Sequence, residues 1–454
     1  YAHTKTYKHL KSLDRGDQAQ IGIVKNIFQF EPLRRWHILD WAFSRVLNNV
    51  FTYSSLEYFK NIYPQLKINN IKSGSKVFDW KIPKEWNVVD AYIEDSKGNK
   101  IIDFKNNNLH LVSYSRPVNK IVNFKTLNKH LYSLKSQPNA IPYITSYYKK
   151  YWGFCISHKK RKKLKKGKYK VFINSNFKKG NLKFGEIYIK GKSKKEILIS
   201  TNICHPSMGN NEISGLVVSL ALAKWLKKKK NKKYSYRILF IPETIGVIGY
   251  LKKKLKYLQK NLIAGFTVVC VGDNKHFSFL QSKRGNTLAD CAARYILKRQ
   301  KKTVKYYSFL ERGSDERQYN SPGVDLPVCS IMRSKYGEYP EYHTSLDNLK
   351  FISISGLDSS IKKYKKVIDL IQKTKKIKIK SKIIGEPMLS KHKLYPSIST
   401  KNTKNIVRTR MNVLTFADGK FDLIQIAESI KENISKVLSE ISILKKKQII
   451  KIIK

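Results

Sequence analysis

Residues 197–215, ILISTNICHPSMGNNEISG, constrain this chain more than any other stretch. The segment opens as a short apolar run rich in β-branched residues, which reads as a buried strand. Pro206 cannot continue a strand ladder, so His205 falls where the strand ends. Asn210, Asn211 and Glu212 then precede Ser214-Gly215, and an apolar helical pattern follows over 216–226. A histidine at a strand end, followed by a polar turn that opens a helix, suits a site in the crevice beyond the carboxyl ends of an α/β sheet. Taken alone, such a histidine is more often just a hydrogen-bonded polar residue. Its weight comes from what surrounds it.

Strand-like runs at 171–174, 186–190, 197–203, 237–241, 266–271 and 327–331 have helical patterns between several of them. That alternation predicts an α/β domain with a mostly parallel sheet flanked by helices, closed by a helix over 361–371. Before it, residues 74–118 alternate short β-type runs with turns, and Asp95 to Asn99 forms a hairpin turn between two of them. Residues 141–157 are aromatic and strand-like, and 158–170 form a basic, solvated run. The expected division is an unassigned helical segment at 1–50, an α/β domain from 51–76 and 141–375, an inserted β-rich domain at 77–140, and a C-terminal module at 376–454. Within the first segment Trp36, Leu39, Trp41, Phe43, Val46 and Leu47 have helical spacing; a further helix at 54–62 is closed by Pro64. The last segment reads as three short helices and a terminal strand, a winged helix-turn-helix pattern. Its second helix, 422–430 (DLIQIAESI), carries two acids, one Gln and no basic residue. A groove-reading helix is rich in Arg, Lys, Asn and Gln, so this module is expected to pack or oligomerise, and nucleic acid is not an expected partner.

The formal net charge of +59 would suit an anionic partner. The lysines, however, are spread over the whole chain of 454 residues together with Asn and Ile, as the codon bias of an AT-rich genome produces. A hydrophobic content of 41% marks a globular protein. Five cysteines without a CxxC pair fit buried thiols in a reducing compartment, so the cytoplasm is the expected location. No apolar run reaches the ~18 residues a membrane span needs.

Four segments carry chemistry at expected loop positions. They are His205 with Asn210, Asn211 and Glu212; Glu243-Thr244 after the strand at 237–241; Asp273 closing VVCVGD; and Tyr342-His343 with Asp347 in YHTSLD. Two imidazoles and several carboxylates on converging strand ends suit a zinc site with a nearby general base.

The order and wording of NNEISG, ETIGVIG, VVCVGD, GSDERQYNSPGVDLP and YHTSLD resemble the zinc aminopeptidases that carry paired zinc ions on an α/β sheet. FDWKIPKEWNVVDAYI, NLHLVSYSRPV, IPYITSYYKKYWGFC and HPSMGNNEISG look like a bacterial family of aminopeptidase-like proteins found with polysaccharide biosynthesis. That family combines an inserted small domain, a peptidase-type domain and a C-terminal winged helix. The resemblance covers residues 55–454. It implies His205, Asp273 and His343 as metal ligands, with Glu212 supplying a fourth oxygen and Glu243 acting as general base. The bridging carboxylate of the two-zinc enzymes falls at Asn211, and the glutamate for their second zinc falls at Thr244. One zinc rather than two is therefore implied. Asn210, Asn211, Asp315, Glu316, Arg317 and Tyr342 are the expected substrate-binding residues, for a peptide or other small amide-containing substrate. Cys204 is expected to be a buried thiol, and Trp80, Trp86 and Trp152 to lie in the core. A catalytically inactive binding or regulatory protein is the alternative, and a homo-oligomer is left open.

Overall fold

The computed structural model describes residues 51–146, 149–300, 303–374, 377–395 and 401–453. The helical spacing expected at 33–50 lies outside the described residues.

A helix, α1 (Phe51–Ile62), leads into an eight-stranded sheet. Its strands are β1 (Lys67–Lys72), β2 (Asn181–Ile189), β3 (Glu196–Asn202), β4 (Ser235–Ile241), β5 (Leu262–Thr267), β6 (Phe277–Leu280), β7 (Val304–Tyr307) and β8 (Val328–Met332), in the order β1-β2-β4-β3-β5-β8-β6-β7. The central run β4-β3-β5-β8 is parallel, while β2 and β1 add antiparallel at one side and β6 joins β8 antiparallel at the other. Every residue of β3, β4 and β8 is buried, as expected of strands covered on both faces. Alternate side chains go to opposite cores. Ile197, Ile199, Ile238 and Phe240 pack with helices α2 (Ser214–Lys228), α4 (Leu288–Lys298) and α5 (Ile354–Lys373). Leu198, Leu239 and Ile241 pack with α3 (Ile245–Asn261).

The insert differs from expectation. Glu85–Glu94, Lys100–Asp103, Val118–Asn123 and Lys168–Lys178 form a separate four-stranded sheet, with Lys168–Lys178 paired to both Glu85–Glu94 and Val118–Asn123. Residues 171–174 therefore belong to the insert sheet and not the large one, and the insert extends past 140. Local periodicity reveals a strand; it does not reveal which sheet recruits it. The aromatic run after Ile141 yields one short strand, Phe154–Cys155, and its first residues lie as an extended strap. Trp86 and Trp152 are half-buried against the insert core, but Trp80 is 42% exposed. Strands β6 and β7 were not expected, and β5 ends at Thr267 instead of running to 271.

The C-terminal module contains α6 (Lys401–Thr415), α7 (Leu423–Ser429) and α8 (Ile434–Lys446). A three-stranded sheet places Lys378–Ser381 between Asp418–Asp422 and Ile450–Ile453. Asp422 caps α7 by accepting the N–H groups of Ile424 and Gln425. The one acid within α7, Glu428, pairs with Lys298 (2.5 Å) and Arg294 (3.5 Å) of α4, so this helix faces the α/β domain. Among the described residues no helix is long and apolar enough to cross a membrane.

Candidate active site

The site lies where β3, β4, β5 and β8 end, on both sides of the strand-order reversal around β3. Four non-glycine residues in the loops that follow these strands hold positive φ: Ser207 (54°), Thr244 (62°), Cys270 (53°) and His343 (53°). For Thr244, a β-branched residue, this is costly backbone, of the kind that gathers where surrounding structure over-determines a site.

After β3 the chain passes Pro206 and enters a π-type turn, Gly209–Ile213, before α2 begins. A Cβ on Gly215 would lie 2.2 Å from the Val268 carbonyl oxygen, so glycine is what lets α2 sit against the end of β5. Asp347 anchors the turn by accepting the N–H groups of Asn210 (2.6 Å) and Asn211 (3.1 Å) and the Tyr339 hydroxyl (3.0 Å). Fixing this turn fixes Glu212, which is fully buried. Glu212 Oε1 lies 2.5 Å from His205 Nδ1, and Oε2 accepts the Cys204 N–H (3.2 Å). Cys204 Sγ is 3.4 Å from His205 Nδ1 and 3.7 Å from Glu212 Oε1. Burial, and then the Glu212 charge, push the Cys204 thiol up to about 12, which favours the neutral thiol near neutral pH. Burial alone would hold His205 neutral, but the hydrogen bond to Glu212 raises it.

Glu243, just beyond β4, completes the group. Its N–H donates to Cys204 Sγ (3.3 Å), Oε1 accepts the Ser314 hydroxyl (2.6 Å), and Oε2 lies 3.7 Å from His205 Nε2. Ser314 is held in turn by the Asn202 amide at the end of β3 (3.2 Å). From the other side comes His343, its ring centroid 5.0 Å from that of His205 and stacked on Tyr342 at 3.9 Å. Burial and the neighbouring His205 lower His343 to about 3, so it is a neutral ring, and its buried Nε2 has no hydrogen-bond partner. The insert supplies a third ring. Tyr143 stands edge-on to His205 (5.2 Å) and His343 (5.3 Å), and its N–H donates to the His343 carbonyl (2.8 Å).

The structure does not bring all expected ligands together. Among the described residues, one group of three His, Cys, Asp or Glu donors has ligand atoms within 4.8 Å of one another: Cys204, His205 and Glu212. Asp273 is outside it. Its oxygens accept from the Asn210 amide (3.1 Å), the Ser334 N–H and hydroxyl (2.9 and 3.1 Å) and the Lys275 N–H (2.8 Å). The expected substrate contacts divide in the same way. Asn210 is consumed by Gly272 and Asp273, and Glu316 accepts the N–H groups of Gly313 and Ser314 and the Tyr336 hydroxyl. Asn211 Nδ2 and Asp315 Oδ2 are buried without partners. Arg317 donates to Thr244 Oγ1 (2.8 Å), whose N–H donates to Asp315 (2.8 Å). Burial, then Glu243, raise Asp315 well above the carboxylate range. Sequence reasoning missed Tyr143 and Ser314, for which no local pattern exists; Cys204, expected as a buried thiol, is half-buried.

Nitrogen, oxygen and sulfur donors in one group are chemistry that zinc accepts, and the orphaned His343 Nε2 is a further nitrogen donor near the same pair. The residues present fit such an ion.

Residues 41–374 match the family described as a domain of unknown function, DUF4910, and residues 378–452 match a winged helix-turn-helix family. A Clostridium acetobutylicum protein, provisionally named a polysaccharide biosynthesis protein with aminopeptidase-like domain, is 42% identical over 364 residues, covering 80% of this chain and 83% of that one. A crystal structure from Clostridium acetobutylicum, provisionally described as a peptidase, superposes with a TM-score of 0.77 at 36% identity, over 95% of this chain and 99% of the other. A zinc aminopeptidase from Bacillus subtilis shares the fold (TM-score 0.53, 12% identity, 73% of this chain and 93% of that one). The α/β domain has the zinc-aminopeptidase fold, and the chain belongs to the DUF4910 family of aminopeptidase-like proteins, followed by a C-terminal winged helix.

Proposed function

We propose that this protein is a zinc-dependent amide hydrolase with a single metal ion. Its substrate would be a peptide or another amide, including one on an amino sugar, in keeping with the name of its Clostridium acetobutylicum relative. The observation that carries this reading is the Glu243 carboxylate set 3.7 Å from His205, which is itself paired with the buried Glu212.

His205 and Glu212 would hold the ion, with the neutral His343 alongside. A bound zinc polarises a carbonyl and lowers the pKa of a water toward neutrality. Glu243 takes the proton from the attacking water and delivers it to the leaving amine. Ser314, fixed by Asn202, orients that carboxylate through Oε1 and leaves Oε2 free. Burial, and then the Glu243 charge, raise Asp315, which disfavours a second negative charge beside the base. Tyr143 and Tyr342 wall the crevice around the two imidazoles.

Support for one ion rather than two comes from Asn211 and Thr244. Both are neutral where the resemblance places carboxylates, and Arg317 sets a guanidinium on Thr244 Oγ1, a poor neighbour for a second cation. The test is a panel of aminoacyl p-nitroanilides and N-acetylated amino sugars, assayed with the full chain before and after chelation. Zinc-dependent release from at least one class is expected. Equal activity in the chelated protein would refute the proposal.

A further inference from the structure

Three donors of different chemistry meet at the end of β3, and their spacing is informative. A tetrahedral zinc with sulfur, nitrogen and oxygen ligands holds its donor atoms about 3.3–3.6 Å apart, from the ordinary bond lengths. Cys204 Sγ lies 3.4 Å from His205 Nδ1 and 3.7 Å from Glu212 Oε1. Two edges of the tetrahedron are thus already formed. The third, His205 Nδ1 to Glu212 Oε1, is 2.5 Å, a short hydrogen bond that has to open before both atoms can hold one ion.

We infer that Cys204 is a thiolate ligand of the metal ion, so that the site is a Cys-His-Glu centre. This rests on the single-zinc reading and names a ligand which that reading does not contain. On binding, the Cys204 S–H bond breaks, its proton leaves to solvent and a sulfur–metal bond forms. Two features of the chain suit the sulfur to this role. The Glu243 N–H donates to Sγ at 3.3 Å, and a hydrogen bond to a ligating sulfur stabilises its negative charge. The donors also come from a single short segment, Cys204 to Glu212, whose end is locked by Asp347, so the centre does not depend on the insert or on the His343 loop. The fourth vertex stays open for water or substrate. The donor set selects zinc or another metal tolerant of sulfur, against magnesium or calcium.

Cobalt(II) titration of the full chain after chelation tests this without any substrate. The parent protein should show intense near-ultraviolet sulfur-to-cobalt charge-transfer absorption that saturates at one equivalent. Cys204→Ser should lose that absorption and bind cobalt more than about 100-fold more weakly, beyond what the loss of a ligand's outer partner costs, while Cys270→Ser, which alters the thiol beside Asn211, should keep it. Cobalt bound without the sulfur band, or a band unchanged in Cys204→Ser, would overturn the thiolate and leave the single-zinc hydrolase standing. No binding of either metal would overturn both.

Discussion

Two polar groups occupy the same crevice floor and differ in how they use their atoms. Around Asp273, Asn210, Ser334 and Asp347, hydrogen bonds consume the carboxylate oxygens, and the donors are mostly backbone N–H groups. Around His205, a thiol, an imidazole and two carboxylates face one another, and His343 Nε2 and Asp315 Oδ2 are buried without partners. Buried polar groups are normally satisfied. A cluster that leaves some unsatisfied beside a saturated framework is where a ligand belongs. The lesson is that residue type and position in a motif do not distinguish ligand from framework; saturation does. Asp273 stands in the expected motif, beyond the end of β5, with its oxygens already occupied.

The largest effect should come from the unsaturated group. Glu243→Gln keeps the shape and the Ser314 contact but cannot take a proton, so turnover on any hydrolysed amide should fall about 10²–10⁴-fold, with metal content unchanged. Loss of metal in the variant would make Glu243 a ligand instead of a base.

The framework should answer to pH through stability rather than activity. Burial raises Asp347 to about 6 in spite of its three hydrogen bonds, whereas the unfolded chain titrates near the ordinary carboxylate value. The folded chain therefore retains a proton that the unfolded chain has lost. That contribution is complete below about pH 4 and declines as pH rises toward 6, by about 2–3 kcal/mol in total. Urea unfolding across this window should show a steeper decline for the parent than for Asp347→Asn. Equal slopes would mean that Asp347 ionises normally in the fold.

A smaller effect separates the two groups directly. Asp273→Asn leaves two donors facing an amide, which should cost about 2 kcal/mol of stability while leaving zinc affinity unchanged, since Asp273 bonds Asn210, Ser334 and Lys275 and not Cys204, His205 or Glu212. Loss of zinc with the fold intact would return Asp273 to the ligands.

The sheet and the four loop segments were legible because each is local: an apolar run, a breaking Pro206, an acidic turn, a helix start. What was hidden depends on distance. Lys168–Lys178 pairs with Glu85–Glu94 across some eighty residues of chain, and nothing in its alternation identifies the insert sheet as its home. Tyr143 reaches the two imidazoles only because the strap is pinned by Ser345 and His343, through bonds from Ile141 and Tyr143. The early end of β5 follows from Val268–Asp273 leaving the ladder, with Cys270 at positive φ, a departure that its run of apolar residues conceals.

The contrast between a saturated framework and one compact metal group makes the metal count decisive. Elemental analysis of the full chain, purified without chelator and equilibrated with zinc, should give close to one zinc per chain, because Asn211 and Thr244 offer no carboxylate to a second. Two per chain would contradict the reading of those residues, and none would remove the metal from the account altogether.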